Sequence, residues 1–181
     1  MKFHRATLEE FDTVMAILSD GRNQLAESGI DQWQGEYPAP EHIRQDIDHG
    51  YAYLLSSDDE ETIGTVTVMP APDDSYANLQ GNWLKETTAY LTIHRVAIHS
   101  DHAGKGYAST MFEGLIAHVE AEYPHIESLR IDTHQDNKPM QHLLSKMGFT
   151  KVGEIHGVYR VNETSYVYEQ LVTRPQLSTT V

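Results

Sequence analysis

No cysteine occurs anywhere in the chain. That absence excludes disulfides, thiolate zinc sites and a cysteine nucleophile, and it fits a reducing compartment. No apolar run approaches the roughly 20 residues that a bilayer-spanning helix needs, and no apolar signal-peptide core follows Met1-Lys2-Phe3-His4-Arg5. We therefore expect a cytoplasmic protein that does not engage membranes. Basic residues are scarce too, 13 against 27 acidic, which leaves a formal net charge of −14. A nucleic-acid binder needs a basic surface to displace counterions. No Lys/Arg cluster is present, so nucleic acid is not an expected partner. The surplus acid has two readings: it keeps the protein in solution, or it draws in cationic substrates such as amines.

What is present is ordinary for a globular enzyme. With 39% hydrophobic and 22% charged residues over 181 positions, one domain can bury roughly 70% of its unfolded surface. Residues 2–6 read as a first strand. Thr7 with Glu10 makes a capping box, and Phe11, Val14, Met15, Leu18 and Leu25 recur at helical spacing to about Ser28, with Gly29 as the stop. Residues 32–38 form a loop with two aromatics, Trp33 and Tyr37, before Pro40 opens a second helix closed by Gly50. Residues 51–56 and 62–69 form a hairpin around the acidic turn 58–61. Residues 70–88 lack periodicity and read as a long excursion.

Residues 90–98 are apolar on both faces, as in a strand covered on both sides. A helix over 107–119, a strand over 129–133 and a helix over 139–146 follow. A last strand pair, 149–155 and 165–172, turns at Asn162-Glu163. We take residues 1–172 as a single domain and 173–181 as a polar, disordered tail. Helices interleaved with strands give an α/β fold, a mixed sheet with helices on both faces.

One junction stands out chemically. The strand residues Val96-Ala97-Ile98 lead into the turn Ala103-Gly104-Lys105-Gly106-Tyr107-Ala108 and then into a helix with Met111, Phe112, Leu115, Ile116 and Val119 on its apolar stripe. Glycine lets the backbone turn sharply, so that several N–H groups at the helix start point at one anion. The helix dipole adds partial positive charge there, and Lys105 adds a full one. The turn is neither a Walker A loop nor a complete dinucleotide fingerprint.

These residues resemble the acyl-CoA-binding motif of the GNAT superfamily of N-acyltransferases, whose form is Arg/Gln-x-x-Gly-x-Gly/Ala. Asn137, the helix 139–146 and Lys146-Met147-Gly148-Phe149 resemble the second half of the same signature. Element order agrees over about residues 2–172. The resemblance implies a central, mostly antiparallel mixed sheet. It also implies a cofactor site at Val96, Ala97, Ile98, residues 103–108 and Asn137. Two positions depart from the family pattern: Ala103 stands in place of Arg or Gln, and Leu144 stands where many members place a thiolate-protonating tyrosine.

The implied reaction is transfer of an acetyl group from acetyl-CoA to a primary amine of a small molecule, by direct attack. No enzyme nucleophile is required, in agreement with the missing cysteine. The amine must first lose its proton. A lysine-like amine at pH 7 lies about 3.4 units below its pKa, roughly 4.6 kcal/mol. A base is therefore the main demand on the protein. His94 is the candidate: it precedes Val96 by two positions, shares its face by alternation, and titrates near neutrality as a residue type. A histidine merely satisfied within the sheet would look the same. Glu86, Tyr90 and Thr92 stand just upstream and offer an alternative route through water.

Trp33 and Tyr37 fall in the segment that often lines the acceptor pocket in this superfamily, and aromatics can sit over an ammonium; Tyr159 is a weaker candidate of the same kind. The chain has 11 histidines, yet no His-x-x-x-His pair falls on an expected helix and His99-x-x-His102 lies in a turn. No metal is expected. Small members of this family are often homodimers. The alternatives are an acyl-CoA-binding or regulatory module without catalysis, and an acetyltransferase for a protein or peptide amine.

Overall fold

Eight strands and four helices alternate along residues 1–174, the part of the chain that this computed structural model describes. Strands β1 (Lys2–Arg5), β2 (Ala52–Ser56), β3 (Thr62–Pro70), β4 (Gln80–Gly81), β5 (Tyr90–Ile98), β6 (Ser128–His134), β7 (Thr150–His156) and β8 (Thr164–Leu171) form one sheet. Their spatial order is β1-β2-β3-β5-β6-β8-β7-β4. Every pairing is antiparallel except that of β5 with β6. A parallel pair needs a crossover, and helix α3 (Tyr107–Glu122) supplies it.

Two apolar layers cover the sheet. On one face α1 (Phe11–Glu27) and α2 (Pro40–Asp48) set Val14, Ile17, Leu18, Ile43 and Ile47 against Ala52, Leu54 and Ala97. On the other, α3 places Met111, Phe112, Leu115 and Val119, and α4 (Lys138–Lys146) places Leu144, against Tyr53, Leu91, Ile93, Leu129 and Ile131. α1 comes so near β5 that a Cβ on Gly21 would lie 3.0 Å from that of Ala97. Among the described residues no helix is long and apolar enough to cross a membrane.

Three departures from the sequence reading have local causes. The capping box forms, with the Thr7 N–H donating to Glu10 Oε2 at 2.9 Å, but it closes a 3-10 turn (Leu8–Glu10) and the α-helix starts only at Phe11. The excursion contains a second such turn, Asp74–Tyr76, and the strand β4, which joins β7 through Gln80↔Glu154 and Gly81↔Gly153. Two facing glycines let these strands meet, since a Cβ on either would collide with backbone of the other; so short a strand leaves no side-chain pattern. Of the expected disordered tail, Thr173 and Arg174 are described, and Arg174 is tied down by donating to the carbonyls of Ile126 (2.9 Å) and Tyr123 (2.6 Å). Residues 175–181 lie outside the described residues.

Candidate active site

The parallel pair β5/β6 holds together only from Tyr90↔Ser128 to Ile93↔Ile131. Beyond that point the strands part, so main-chain groups of His94 to Ile98 that face β6 have no ladder partner there. A bulge compounds the effect. Thr67 pairs with His94 and Thr65 with Ala97, so two residues of β5, Arg95 and Val96, stand against the single Val66.

This bulge overturns the alternation argument for His94. Directly opposed antiparallel residues share a face. Thr67 Oγ1 donates to Asp46 of α2 at 3.3 Å, so His94 also points to the α1/α2 side. Val96 and Ile98 pack with the α3 layer, whereas Ala97 packs with the α1 layer. His94 and Val96 thus lie on opposite faces, though both line the opening. Arg95 takes a left-handed conformation (φ 51°) to make the bulge, and Trp33, across the cleft, does the same (φ 61°). Such residues cost about 1–3 kcal/mol each and persist where neighbours enforce them.

Two hollows meet at the split. The first runs between α1 and the start of α4 and is lined by Val96, Ala97, Ile98, Ala108 and Asn137. It therefore gathers expected cofactor residues from three separate elements. At its end lies the start of α3. Gly104 (φ 72°) and Gly106 (φ 80°) are both left-handed, with nothing within 4 Å of where a Cβ would stand. The Gly106 carbonyl accepts the Thr110 N–H at 3.3 Å, so the N–H groups of Tyr107, Ala108 and Ser109 precede the first intrahelical bond. Lys105 folds back to donate to the Asp101 carbonyl (2.9 Å), while Lys146, from the end of α4, donates to Ser109 Oγ (3.1 Å). Lys146 brings a second cation that sequence reasoning had not placed there. Ala103 is exposed and adds no polar side chain.

Asn137 is buried, and its amide is used within the protein. Oδ1 accepts the Met140 N–H (3.2 Å), capping α4, and Nδ2 donates to Gln32 Oε1 (3.0 Å). Gln32 also accepts from Thr133 Oγ1 at 3.5 Å, so one unremarked loop residue ties the 29–38 segment, β6 and α4 together beside the cleft. Leu144 is wholly buried in the core, away from the cleft.

The second hollow, about 200 Å³, lies between the α1–α2 loop, the parted strands and the β7–β8 hairpin. Its walls include Trp33, Tyr37 and Tyr159, with His94, Asp132 and Glu163. Both hollows share Gln32, Trp33, Val96 and Met140, so they communicate. Tyr37 stands beneath the Arg95 guanidinium (5.5 Å to the ring centroid), and Arg95 Nη1 lies 2.9 Å from Asp46 Oδ2. Burial raises the Tyr37 phenol, and it raises the Asp46 carboxyl in spite of Arg95. Tyr90 accepts the Asp73 N–H (3.1 Å) and Thr92 donates to the Met69 carbonyl (3.4 Å), while Glu86 is exposed.

Two carboxylates absent from the sequence reading complete the site. Asp73, from the excursion, sets Oδ2 2.7 Å from His94 Nε2. Burial works to raise the Asp73 carboxyl, but the bond and charge of His94, with the bonds from Ser75, take it down to about 2. His94 Nδ1 makes no hydrogen bond among the described residues. Asp132, the first β6 residue past the paired stretch, accepts at Oδ1 from the hydroxyls of Tyr76 and Tyr159, both at 3.0 Å. Burial raises its carboxyl, against the charge of His94 and the two hydroxyl bonds. Burial and the Asp132 charge push both phenols well above their ordinary range, so each remains an O–H donor.

A chain without cysteine has no thiol nucleophile to carry an acyl group. The groove that ends at the glycine turn before α3 meets a separate cavity lined by charged and aromatic side chains, the layout of the coenzyme A-dependent N-acyltransferases, which bring two substrates together. The family model for the GNAT acetyltransferase family matches residues 20–149, and the chain belongs to that family. It is 24% identical over 166 residues to an uncharacterised N-acetyltransferase, YesJ, of Bacillus subtilis, covering 91% of this chain and 89% of that one. It is 24% identical over 135 residues to an N-alpha-acetyltransferase of Saccharolobus solfataricus, covering 75% and 74%. A GNAT-family acetyltransferase of Streptococcus agalactiae superposes with a TM-score of 0.84 at 30% identity, covering 96% of each chain.

Proposed function

We propose that this N-acetyltransferase acetylates a primary amine of a small molecule, with His94 as the general base and Asp73 as the residue that positions it. The observation that carries the reading is the meeting of two hollows beside a His–Asp pair. The residues fit acetyl-CoA. Free N–H groups at the start of α3, open space over Gly104 and Gly106, and Lys105 suit a diphosphate. Val96, Ala97, Ile98 and Asn137 line the groove for the rest of the coenzyme. When bound, the coenzyme supplies an activated acetyl thioester.

The chain's own residues supply the remainder. Asp73 accepts Nε2–H, which fixes the tautomer and leaves the Nδ1 lone pair to take the ammonium proton. A positioned base of this kind contributes about 10²–10⁴-fold. Trp33, Tyr37 and Tyr159 exclude water from the reacting nitrogen. The unpaired main chain of β5 beyond Ile93 offers N–H donors to charge developing on the carbonyl oxygen. A thiol titrates near pH 8.5 by analogy with cysteine, so the departing thiolate needs little help, and a buried Leu144 is no obstacle.

A thermal-shift titration with acetyl-CoA, followed by a thiol-release assay over polyamines, aminoglycosides, amino acids and peptides, tests this. Stabilisation by acetyl-CoA with no thiol release on any amine would leave only a coenzyme-binding module. The name of the archaeal relative supports a second reading, in which the amine is a protein terminus; release on peptides alone would establish it.

A further inference from the structure

We propose that the acceptor is a dication, an aliphatic diamine or polyamine, whose non-reacting ammonium is held by Asp132; this rests on the acetyl-transfer reading above. Most charged side chains around the cavity already face an opposite charge. Arg95 is matched by Asp46 at 2.9 Å, Arg160 by Asp31, and His94 by Asp73. Asp132 remains, and Glu163 only shares Arg160 with Asp31. Among the described residues no Lys, Arg or His nitrogen lies within 4.0 Å of Asp132, and the nearest cation to Glu163 is Arg160 Nε at 3.9 Å. Glu163 Oε1 is buried without a hydrogen bond.

A desolvated carboxylate without a cation is costly and is ordinarily paired. Asp132 carries two tyrosine O–H donors on Oδ1 alone, and Oδ2 makes no hydrogen bond to a described residue. Two donors favour the ionised form and leave one oxygen for a charged ligand, the geometry of a charge-assisted bond. Trp33, Tyr37 and Tyr159 stand around it, faces that suit both methylenes and an ammonium.

Chemistry assigns this carboxylate to the second nitrogen. An ion pair at the attacking nitrogen would hold its proton in place, whereas that nitrogen must become neutral, which is the work of His94. A carboxylate-bearing acceptor is disfavoured, because Asp132 and Glu163 would repel it and the guanidiniums of Arg95 and Arg160 already face Asp46 and Asp31, with only Arg95 Nε left without a partner among the described residues. The chain's net charge of −14 acts in the same sense at long range.

The test is steady-state kinetics of the intact protein with a series of α,ω-diamines, each beside its matched monoamine and ω-amino acid. The diamine should exceed its monoamine in kcat/KM by about ten- to hundredfold, the worth of one charged hydrogen bond, and the amino acid should be poorest. In Asp132→Asn the advantage should shrink toward unity through KM, with acetyl-CoA binding by calorimetry reporting that the variant is folded. Equal turnover of diamine and monoamine by the unaltered protein would overturn the dication alone, as would an undiminished ratio in the folded variant. Coenzyme binding with no turnover of any amine would overturn the acetyl-transfer reading beneath it.

Discussion

His94 Nε2 lies 2.7 Å from Asp73 Oδ2, although Asp73 is 21 residues earlier, in a segment without periodicity. The contact joins the central strand to the turn that follows β3. Asp73 is itself held by accepting the Ser75 N–H at 2.9 Å and by donating its own N–H to the Tyr90 hydroxyl at 3.1 Å. The pair is therefore oriented before any substrate arrives.

If His94 takes the amine proton, His94→Ala should lower kcat by about 10²–10⁴-fold with an unchanged Kd for acetyl-CoA. The limb of the pH–rate profile that reports deprotonation of the base should vanish with it. A variant that keeps the same limb would assign the base elsewhere.

The Asp73 carboxyl, at about 2, lies below its ordinary value of 3.8. A depressed carboxyl stabilises the fold fully above the unfolded value and loses that contribution as pH falls through the folded one. Asp73→Asn should therefore be less stable than the parent by up to about 2 kcal/mol above pH 4. The two proteins should converge as pH approaches 2. Urea melts across this range would show a constant gap instead if the pair contributes only packing.

Element order was legible because it rests on long periodic segments: the stripe on α3, the apolar run of β5 and the glycine turn between them. The site was legible where a motif carries its chemistry in adjacent residues, as from Val96 to Ala108. It was illegible where tertiary contacts assemble it. The bulge at Arg95 leaves no trace in residue type, so counting by twos put His94 and Val96 on one face. Asp73 falls in the aperiodic 70–88 excursion and Asp132 within the 129–133 strand, and nothing in residue type or spacing marks either as a site residue. Only the parting of β5 from β6 brings Asp132 to the cavity, and only the return of the excursion over the sheet brings Asp73 to His94.

Gly106 is left-handed with open space where a Cβ would stand, so Gly106→Ala meets a conformational penalty alone. A loss of about 1 kcal/mol in stability is expected. Affinity for acetyl-CoA should fall much more, because the first amides of α3 would be re-aimed. Calorimetry that shows equal affinity in both proteins would move the diphosphate away from this turn.

Glu169 is completely buried and holds the excursion in place from the far side. Its Oε1 accepts from Ser128 Oγ (2.6 Å) and Arg130 Nε (3.4 Å), and its Oε2 accepts the Leu84 N–H. Arg130 lies between the rings of Trp83 (3.6 Å) and Tyr90 (4.0 Å) and donates to the Lys85 carbonyl at 3.1 Å. Glu169→Ala would leave a buried guanidinium without its counter-charge, a loss of about 3–5 kcal/mol, or on the order of 10 °C in Tm for a chain of this size. Adding Arg130→Met should recover part of that loss, because the uncompensated charge goes with it. Residues 83–85 share a segment with Asp73, so the single variant should also weaken catalysis at temperatures where it is folded, through kcat more than through coenzyme affinity. A loss below about 1 kcal/mol, or a double variant worse than the single one, would mean that the charge pair is not what anchors this segment.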